Sequence, residues 1–193
     1  MRVFFKDESE QNFNPDLEFQ PHLLDIVENT PIFFEHQIPL NTSSVQGLIG
    51  SDRLLAAFAA FCLEQTNLVV VSLGTATTID FVSQDKVFHS GIIAPGLDSS
   101  FDGLINKASY LPSLDQLEPS HELFSHNLTQ AMGNGLFIGH VAMIEFFYKQ
   151  ICSIHTTQCH LILTGGRAHT LSPFFSLPHK IYDNLVARGL TFI

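Results

Sequence analysis

The sequence predicts an α/β fold in which three antiparallel strands are followed by helices and one further strand. The first observation is a short, wholly apolar and mostly β-branched run at residues 68–71, which is typical of an inner strand covered on both faces. The second is a β-rich run at residues 76–82, which begins after one tight turn. The third is the helical spacing of apolar residues in the neighbouring segments. Together these observations predict a C-terminal lobe of order β-β-β-α-α-β.

The segment before these strands contains one clear element. Residues 1–31 are polar and carry three prolines, which favours little regular structure. A GSDR turn at residues 50–53 precedes an alanine-rich run of good helix formers that is apolar on all sides. This pattern predicts a mostly buried helix, with Ser51 or Asp52 placed to cap it.

The remaining elements follow from periodicity and from glycine and proline positions. Residues 83–85 predict a hairpin turn, and the loop after the third strand ends at Pro95 and Gly96. Apolar residues from Leu97 onward recur at helical spacing, with Asp98 in the favourable first turn. The other predicted elements are a third strand at 86–89, a connector at 111–119, a long helix at 129–151, a strand at 160–163 and a closing segment at 172–193.

The composition of the chain restricts the classes of ligand that it can bind and the cellular compartment in which we expect it. The chain has 193 residues and a formal net charge of -10 with only nine Lys plus Arg, which argues against nucleic acid as the main ligand. Three cysteines, an odd number, suit a reducing compartment. The N-terminus lacks the apolar core of a signal peptide, and polar residues interrupt the longest apolar segments. We therefore expect a cytoplasmic protein that does not span a membrane.

Two glycine turns that follow strands are candidate phosphate sites. At Gly74 and Thr75 the chain leaves a buried strand, so backbone N–H groups and threonine hydroxyls can face a phosphate oxygen. At Gly165 and Gly166 a second strand ends, and Arg167 follows, which would let a nucleotide approach the backbone closely. Each pair taken alone is also compatible with an ordinary tight turn.

Asp52 is the carboxylate best placed for acid–base chemistry. It lies between a glycine turn and a buried helix, where it could accept a proton from a substrate hydroxyl while Arg53 holds an anionic group. The alternative is a helix cap with a local ion pair.

A second constellation has residue types that suit zinc. Cys152, His155, Cys159 and His160 form a C-x2-H-x3-C-H cluster where the long helix gives way to a strand. The alternative, which we favour, is four structural residues, because such spacing commonly occurs by chance.

The ordered set of motifs resembles the type III pantothenate kinases over roughly residues 45–193. The ordered set is far more specific than any one of its members. The matching stretches are GSDR at 50–53, SLGTATTIDF at 72–81, SGIIAPGL at 90–97, SYLP at 109–112, NLTQAMGNG at 127–135, TGGRA at 164–168 and the terminal LVARGL.

The resemblance implies an actin-like, hexokinase-like fold of two ribonuclease-H-like halves, usually as a homodimer. It implies transfer of the γ-phosphoryl group of ATP to pantothenate, the first step of coenzyme A biosynthesis, with Mg²⁺ and a monovalent cation, K⁺ or NH₄⁺. Asp52 matches the general base. The substrate-binding turn is Gly50, Ser51, Asp52 and Arg53, and the ATP-binding positions are Gly74, Thr75, Gly165 and Gly166. We expect a reduced N-terminal lobe at 1–66 and one complete half at 67–193.

Three positions depart from the family pattern. The D-x-G-N-T phosphate motif is absent from residues 1–45, and the nearest string, LLDIVENTPIFF, lacks its glycine. Ser72 stands where the family places a cation-binding aspartate, so no metal ligand is assigned. Leu128 stands where a substrate-contacting threonine belongs. Two hypotheses follow: an active kinase whose phosphate-binding half has diverged or is missing from this chain, or an impaired pseudokinase that acts as a binding or regulatory protein.

Overall fold

The described part of the chain forms a single mixed sheet of five strands with helices on both faces. The fold is taken from a computed structural model that describes residues 38–47, 49–108, 110–122, 124–156 and 158–193. The strand order is β3-β2-β1-β4-β5. Strands β1 and β2 and strands β2 and β3 pair antiparallel, whereas β4 is parallel to both β1 and β5. The strands are β1 Leu68–Leu73, β2 Ala76–Val82, β3 Phe88–Pro95, β4 His160–Thr164 and β5 His179–Ile181.

Helices precede, separate and follow these strands. A π-helical turn, Asn134–Ile138, joins two of them into one helical run, and two short 3-10 turns lie at Leu114–Gln116 and Ser172–Phe174. The α-helices are α1 Ser51–Glu64, α2 Leu97–Ile105, α3 Leu128–Gly133, α4 Gly139–Ile154, α5 Ala168–Leu171 and α6 Leu185–Thr191. None of the helices in the described part of the chain is long and apolar enough to cross a bilayer.

Successive side chains of β1 point to opposite faces of the sheet, so the core has two layers. Leu68 and Val70 point to the face covered by α1 and α6, which we call the first face. Val69 and Val71 point to the second face, which α2, α4 and the π-helical turn cover. All four side chains are almost fully buried. The prediction of an inner strand covered on both faces is therefore confirmed.

Several predicted elements are confirmed, and one strand differs. The strand at 76–82, the helix beginning at Leu97 and the strand beginning at His160 form where expected. The third strand runs over Phe88–Pro95, so the prediction of 86–89 followed by a loop was wrong. Its glycine suggested a loop, but cross-strand pairing with β2 keeps this segment extended.

Two helix predictions are also corrected. Neither Ser51 nor Asp52 caps α1, because Gly50 occupies the N-cap and no side chain among the described residues bonds the free N–H groups there. The long helix predicted at 129–151 is a helical run from Leu128 to Ile154 that contains the π-helical turn. The Gln130 N–H donates to the side-chain oxygen of Asn127, which caps the start of this run.

Some predictions concern residues outside the described ranges. The polar segment at 1–31 and the LLDIVENTPIFF string lie there. The division into lobes at 1–66 and 67–193 stays a prediction. In the described part of the chain, α1 packs on the first face of the sheet together with α6.

Candidate functional site

Three turns meet at the carboxyl ends of the parallel strands β1 and β4. They are the β1–β2 turn at Gly74 and Thr75, the β3–α2 turn at Gly96, and the turn after β4 at Gly165 and Gly166. Backbone hydrogen bonds connect them. The Gly96 N–H donates to the Thr75 carbonyl at 2.9 Å, and the N–H of Arg167 donates to the carbonyl of Leu73 at 3.1 Å. The sequence-predicted ATP positions thus lie at one edge of the sheet.

Two positions in these turns require glycine, because the turns lie very close to one another. A Cβ atom on Gly165 would lie 2.5 Å from the Leu73 carbonyl oxygen, and its φ of 95° is left-handed. A Cβ atom on Gly96 would lie 2.0 Å from the Gly74 carbonyl oxygen. No other residue type fits there without a shift of the backbone. The result is a compact edge with exposed backbone, suited to close approach by a phosphate or a nucleotide.

An ion pair joins two of the turns. Arg167 Nε donates to Asp98 Oδ2 at 2.8 Å and its Nη2 donates to Oδ1 at 2.5 Å. The side chains are about one-third and almost half exposed. Donation of these hydrogen bonds to the Asp98 carboxylate raises the pKa of Arg167. Ser99 Oγ also donates to the Thr75 carbonyl at 2.7 Å. Arg167 is therefore engaged by protein.

Hydroxyl groups line both faces of the sheet near this edge. On the second face, the Thr77 hydroxyl and His140 Nε2 are hydrogen-bonded at 2.8 Å, and burial lowers the pKa of His140. On the first face, Ser72 pairs in register with Thr78 and with Thr164. The hydroxyl of Thr78 is buried and has no hydrogen-bond partner among the residues that the structure describes.

Among the described residues, the position expected to bind a cation offers hydroxyls in place of a carboxylate. The side chain at the expected ligand position, Ser72, and its two neighbours in register offer neutral hydroxyls, which are weaker ligands for a hard cation than carboxylates. Asp98 is already paired with an arginine. Within the described residues, no three His, Cys, Asp or Glu side chains converge in a way that could hold a metal ion.

Asp52 stands at the start of α1 as an exposed carboxylate. Its Oδ1 lies 2.5 Å from where a Cβ atom of Gly50 would be, so the side chain folds back over the glycine turn. Among the described residues it has no side-chain hydrogen bond or ion pair. An exposed, unpaired carboxylate at a helix start can accept a proton.

Arg53 pairs with a residue distant in sequence. Its Nε donates to Asp80 Oδ2 at 3.0 Å and its Nη2 donates to the other oxygen of Asp80 and, at 2.7 Å, to Ser90 Oγ. Burial raises the pKa of Asp80, although Arg53 and the Gly91 N–H act in the opposite direction. The ion pair is therefore long-range, and Arg53 does not pair with Asp52.

Sequence reasoning missed Asp80 and Ser90 as partners of Arg53. Asp80 is 3% exposed on a strand whose neighbours are apolar. A charged residue in such a strand requires a buried partner, and this requirement could have identified Asp80 as one half of an ion pair. The sequence does not show which arginine serves it.

Among the described residues the four candidate zinc ligands do not converge, although Cys152 and Cys159 are in contact. The His155 ring stacks on Phe81 with ring centroids 4.0 Å apart, whereas His160 Nδ1 lies 2.8 Å from Glu64 Oε2 on α1. Burial and a hydrogen bond with Cys152 raise the pKa of Cys159 to about 12. The two rings thus lie on opposite faces of the sheet.

A leucine, Leu128, occupies the position where the family pattern has a substrate-contacting threonine. Leu128 is half exposed at the start of α3. The next hydroxyl, on Thr129, donates to Asn127 Oδ1 at 2.7 Å and supports the helix cap.

Comparisons with known proteins agree on one family. The family model for type III pantothenate kinase matches residues 26–150. A type III pantothenate kinase from Cereibacter sphaeroides is 34% identical over 160 residues, which cover 82% of this chain and 62% of the relative. Another from Syntrophotalea carbinolica is 33% identical over 142 residues, which cover 74% of this chain and 55% of the relative. The chain thus spans less than two thirds of these relatives.

A solved structure has a similar fold. It is the crystal structure of a protein from Campylobacter jejuni, described as a conserved candidate transcriptional activator of the Baf family. The TM-score is 0.59 at 28% sequence identity, and the match covers 90% of this chain and 77% of the other. The family model covers well over half of the chain, including the GSDR and GTATTID motifs. The chain therefore belongs to the type III pantothenate kinase family.

Proposed function

We propose that this chain phosphorylates pantothenate to 4'-phosphopantothenate with ATP, in the first step of coenzyme A biosynthesis. One observation supports the proposal above all: the turns at Gly74 and Gly165 lie at one end of the sheet, and Asp52, exposed and unpaired among the described residues, belongs to the same family pattern at the start of α1. The family name carried by its relatives supports pantothenate as the acceptor.

Asp52 is proposed as the general base. Its carboxylate would accept the proton of the primary hydroxyl of pantothenate as the oxygen attacks the γ-phosphorus of ATP. Gly50, Ser51 and Arg53 would form the rest of the acceptor turn. The exposure of Asp52 supports its role as the base, because an acceptor can reach the carboxylate without displacing a partner among the described residues.

The glycine turns are proposed as the ATP side of the site. Backbone N–H groups at Gly74 and Thr75 would bind phosphate oxygens, and Gly165 and Gly166 would let the nucleotide approach the end of β4. Hydrogen bonds between the turns support this assignment, because they fix the backbone before ATP binds.

Further features of the family are part of the proposal. The antiparallel β1–β3 meander extended by parallel β4 and β5 supports one ribonuclease-H-like half of an actin-like, hexokinase-like fold. A homodimer and a cytoplasmic location are also proposed. Mg²⁺ would enter with ATP, and K⁺ or NH₄⁺ would be held weakly at most, because hydroxyls replace the expected carboxylate near Ser72.

A kinase assay on the full chain tests the proposal. ADP release is measured with ATP, Mg²⁺ and K⁺ or NH₄⁺, with and without pantothenate, and the phosphorylated product is identified by mass. We expect pantothenate-dependent ADP release that falls by about 10²-fold or more in kcat for Asp52→Asn. The matched control, Asp115→Asn, removes another exposed carboxylate and should leave the rate unchanged.

Two other outcomes have clear meanings. An unchanged rate in Asp52→Asn would show that Asp52 is not the base. Pantothenate binding without any phosphorylated product would favour the impaired pseudokinase.

A further inference from the structure

We propose that Asp80 is a positioning residue that sets the distance between the base-bearing turn of α1 and the ATP-binding turn. The inference rests on the proposed function, because it assigns Asp52 and the Gly74–Thr75 turn to opposite sides of the reaction. Asp80 itself touches neither substrate in this proposal. It acts through Arg53, which follows Asp52 in the first turn of α1.

The first turn of α1 has few anchors of its own. Gly50 is the N-cap, and no side chain in the described part of the chain bonds the free N–H groups of this turn. The amides of Arg53 and Leu54 both donate to the one carbonyl of Gly50, at 3.1 and 3.2 Å. A helix start of this kind frays easily, because the usual side-chain cap is missing.

The Arg53 side chain supplies the missing anchor. Two of its nitrogens bind both carboxylate oxygens of Asp80, and one of them also binds Ser90 Oγ. The side chain of Arg53 is 11% exposed and that of Asp80 is 4% exposed, so little water competes. A two-point contact of this kind fixes the orientation of the guanidinium as well as its distance.

An irregularity in the sheet aims Asp80 at this arginine. The register between β2 and β3 shifts between Ile79 and Phe81, which is the position of Asp80. The Gly91 N–H donates to Asp80 Oδ1 at 3.2 Å, and a Cβ atom on Gly91 would lie 2.1 Å from the Ile79 carbonyl oxygen. Bulges of this kind redirect side chains next to active sites.

Strand β2 connects this anchor with the ATP-binding turn. It begins at Ala76, directly after Thr75, and Asp80 lies four residues further along. At roughly 3.3 Å per residue, the anchor is about 13 Å from the start of the strand. Because both ends belong to one hydrogen-bonded strand, the Arg53–Asp80 contact fixes the base turn relative to the phosphate turn.

Two measurements on the full chain test the inference. Amide exchange by NMR at Arg53 and Leu54 reports the first turn of α1, and steady-state kinetics reports its consequence. In Asp80→Asn we expect exchange at these amides to rise at least tenfold and kcat to fall at least tenfold, since a small misplacement of a catalytic group is costly. The KM for ATP should stay within twofold, because the turns that bind ATP have their own hydrogen bonds.

A milder variant protects the test against misfolding. Ser90→Ala removes one hydrogen bond from Arg53 and keeps the ion pair, so we expect the same changes at about threefold. Asp85→Asn, an exposed carboxylate in the turn between β2 and β3, is the control and should change neither measurement.

The outcomes separate this inference from the proposed function. Unchanged exchange at Arg53 and Leu54 in both variants overturns the positioning role, whatever the activity. Faster exchange with an unchanged kcat in an active enzyme overturns it as well. A wild-type chain that makes no phosphorylated product overturns the proposed function, and the exchange measurement then decides the positioning role alone.

Discussion

At the scale of single residues, three aspartates near the candidate site differ in their exposure and in their partners. Asp52 is exposed and unpaired within the described residues, Asp80 is buried against Arg53, and Asp98 is almost half exposed against Arg167. The same functional group therefore has two uses. The carboxylate of Asp52 can accept a proton, whereas those of Asp80 and Asp98 bind guanidinium groups and fix local structure.

Gly165 gives a prediction at this scale. Gly165→Ala should lower the free energy of unfolding by about 2 kcal/mol, because the residue has a left-handed φ and its Cβ would meet the backbone of Leu73. Urea unfolding followed by circular dichroism measures the change. The adjacent Gly166→Ala is the matched control, since nothing lies within 4 Å of its Cβ position. Equal losses in both variants would contradict this account.

At the scale of elements, the two helices on the first face pack unusually closely. A Cβ atom on Gly189 of α6 would lie 2.4 Å from the carbonyl oxygen of Leu55 in α1. Leu55 and Leu185 are fully buried at this contact. The terminal LVARGL motif therefore has a packing role: its glycine lets α6 lie directly on the backbone of α1.

Replacing this glycine tests the packing role. Gly189→Ala should lower the free energy of unfolding by about 1–3 kcal/mol, because the helices must separate to admit the methyl group. The control is Gly103→Ala in α2, whose Cβ position is open. Alanine there should raise stability by up to about 1 kcal/mol through helix propensity alone. Thermal and urea unfolding of both variants should therefore change in opposite directions, and a stabilised Gly189→Ala would exclude close packing.

At the scale of the whole molecule, one carboxylate connects three distant parts of the chain. Glu64 ends α1 and is 5% exposed; it accepts hydrogen bonds from Lys180 Nζ at 2.7 and 2.8 Å and from the Tyr182 hydroxyl, and lies 2.8 Å from His160 Nδ1. Burial alone would raise the pKa of Glu64, but these hydrogen bonds and the charge of Lys180 outweigh it and lower the pKa to about 2. The network joins α1 to the β4 and β5 edge of the sheet.

This network predicts an acid-dependent loss of stability. A carboxylate whose folded pKa is lowered stabilises the fold above its ordinary pKa of 4.5 and loses that effect as the pH falls toward 2. At pH 7 the free energy of unfolding of the wild type should exceed that of Glu64→Gln by about 1–2 kcal/mol. This range is kept low because the partners Lys180 and His160 are exposed and water screens their charge. The difference should shrink steadily below pH 4.5 in urea unfolding.

A surface pair provides the comparison for this measurement. Glu122 is 64% exposed and lies 3.4 Å from His126. Glu122→Gln should change the free energy of unfolding by less than about 0.5 kcal/mol at any pH, because water screens exposed pairs. If Glu64→Gln behaved in the same way, the network would not contribute to stability.

Local sequence patterns determined most of the sheet and its helices. The apolar run of β1, the turn after β2 and the spacing in α2 are properties of neighbouring residues, so periodicity was sufficient to find them. The motif order was sufficient to identify the family. The extent of β3 and the existence of β5 were missed, because cross-strand pairing stabilises these segments more than their own composition does.

The sequence by itself determined the kinds of chemical group available: a carboxylate and an arginine at a helix start, and glycines after two strands. Only the tertiary structure decided which partner each group has. Arg53 is held by Asp80, 27 residues away, and Arg167 by Asp98, 69 residues away. Such pairs depend on strand register and on the bulge at Asp80, which no local pattern encodes. Among the described residues Asp52 has no partner, because the fold gives the neighbouring Arg53 another one, and this is what the proposed role as a base requires.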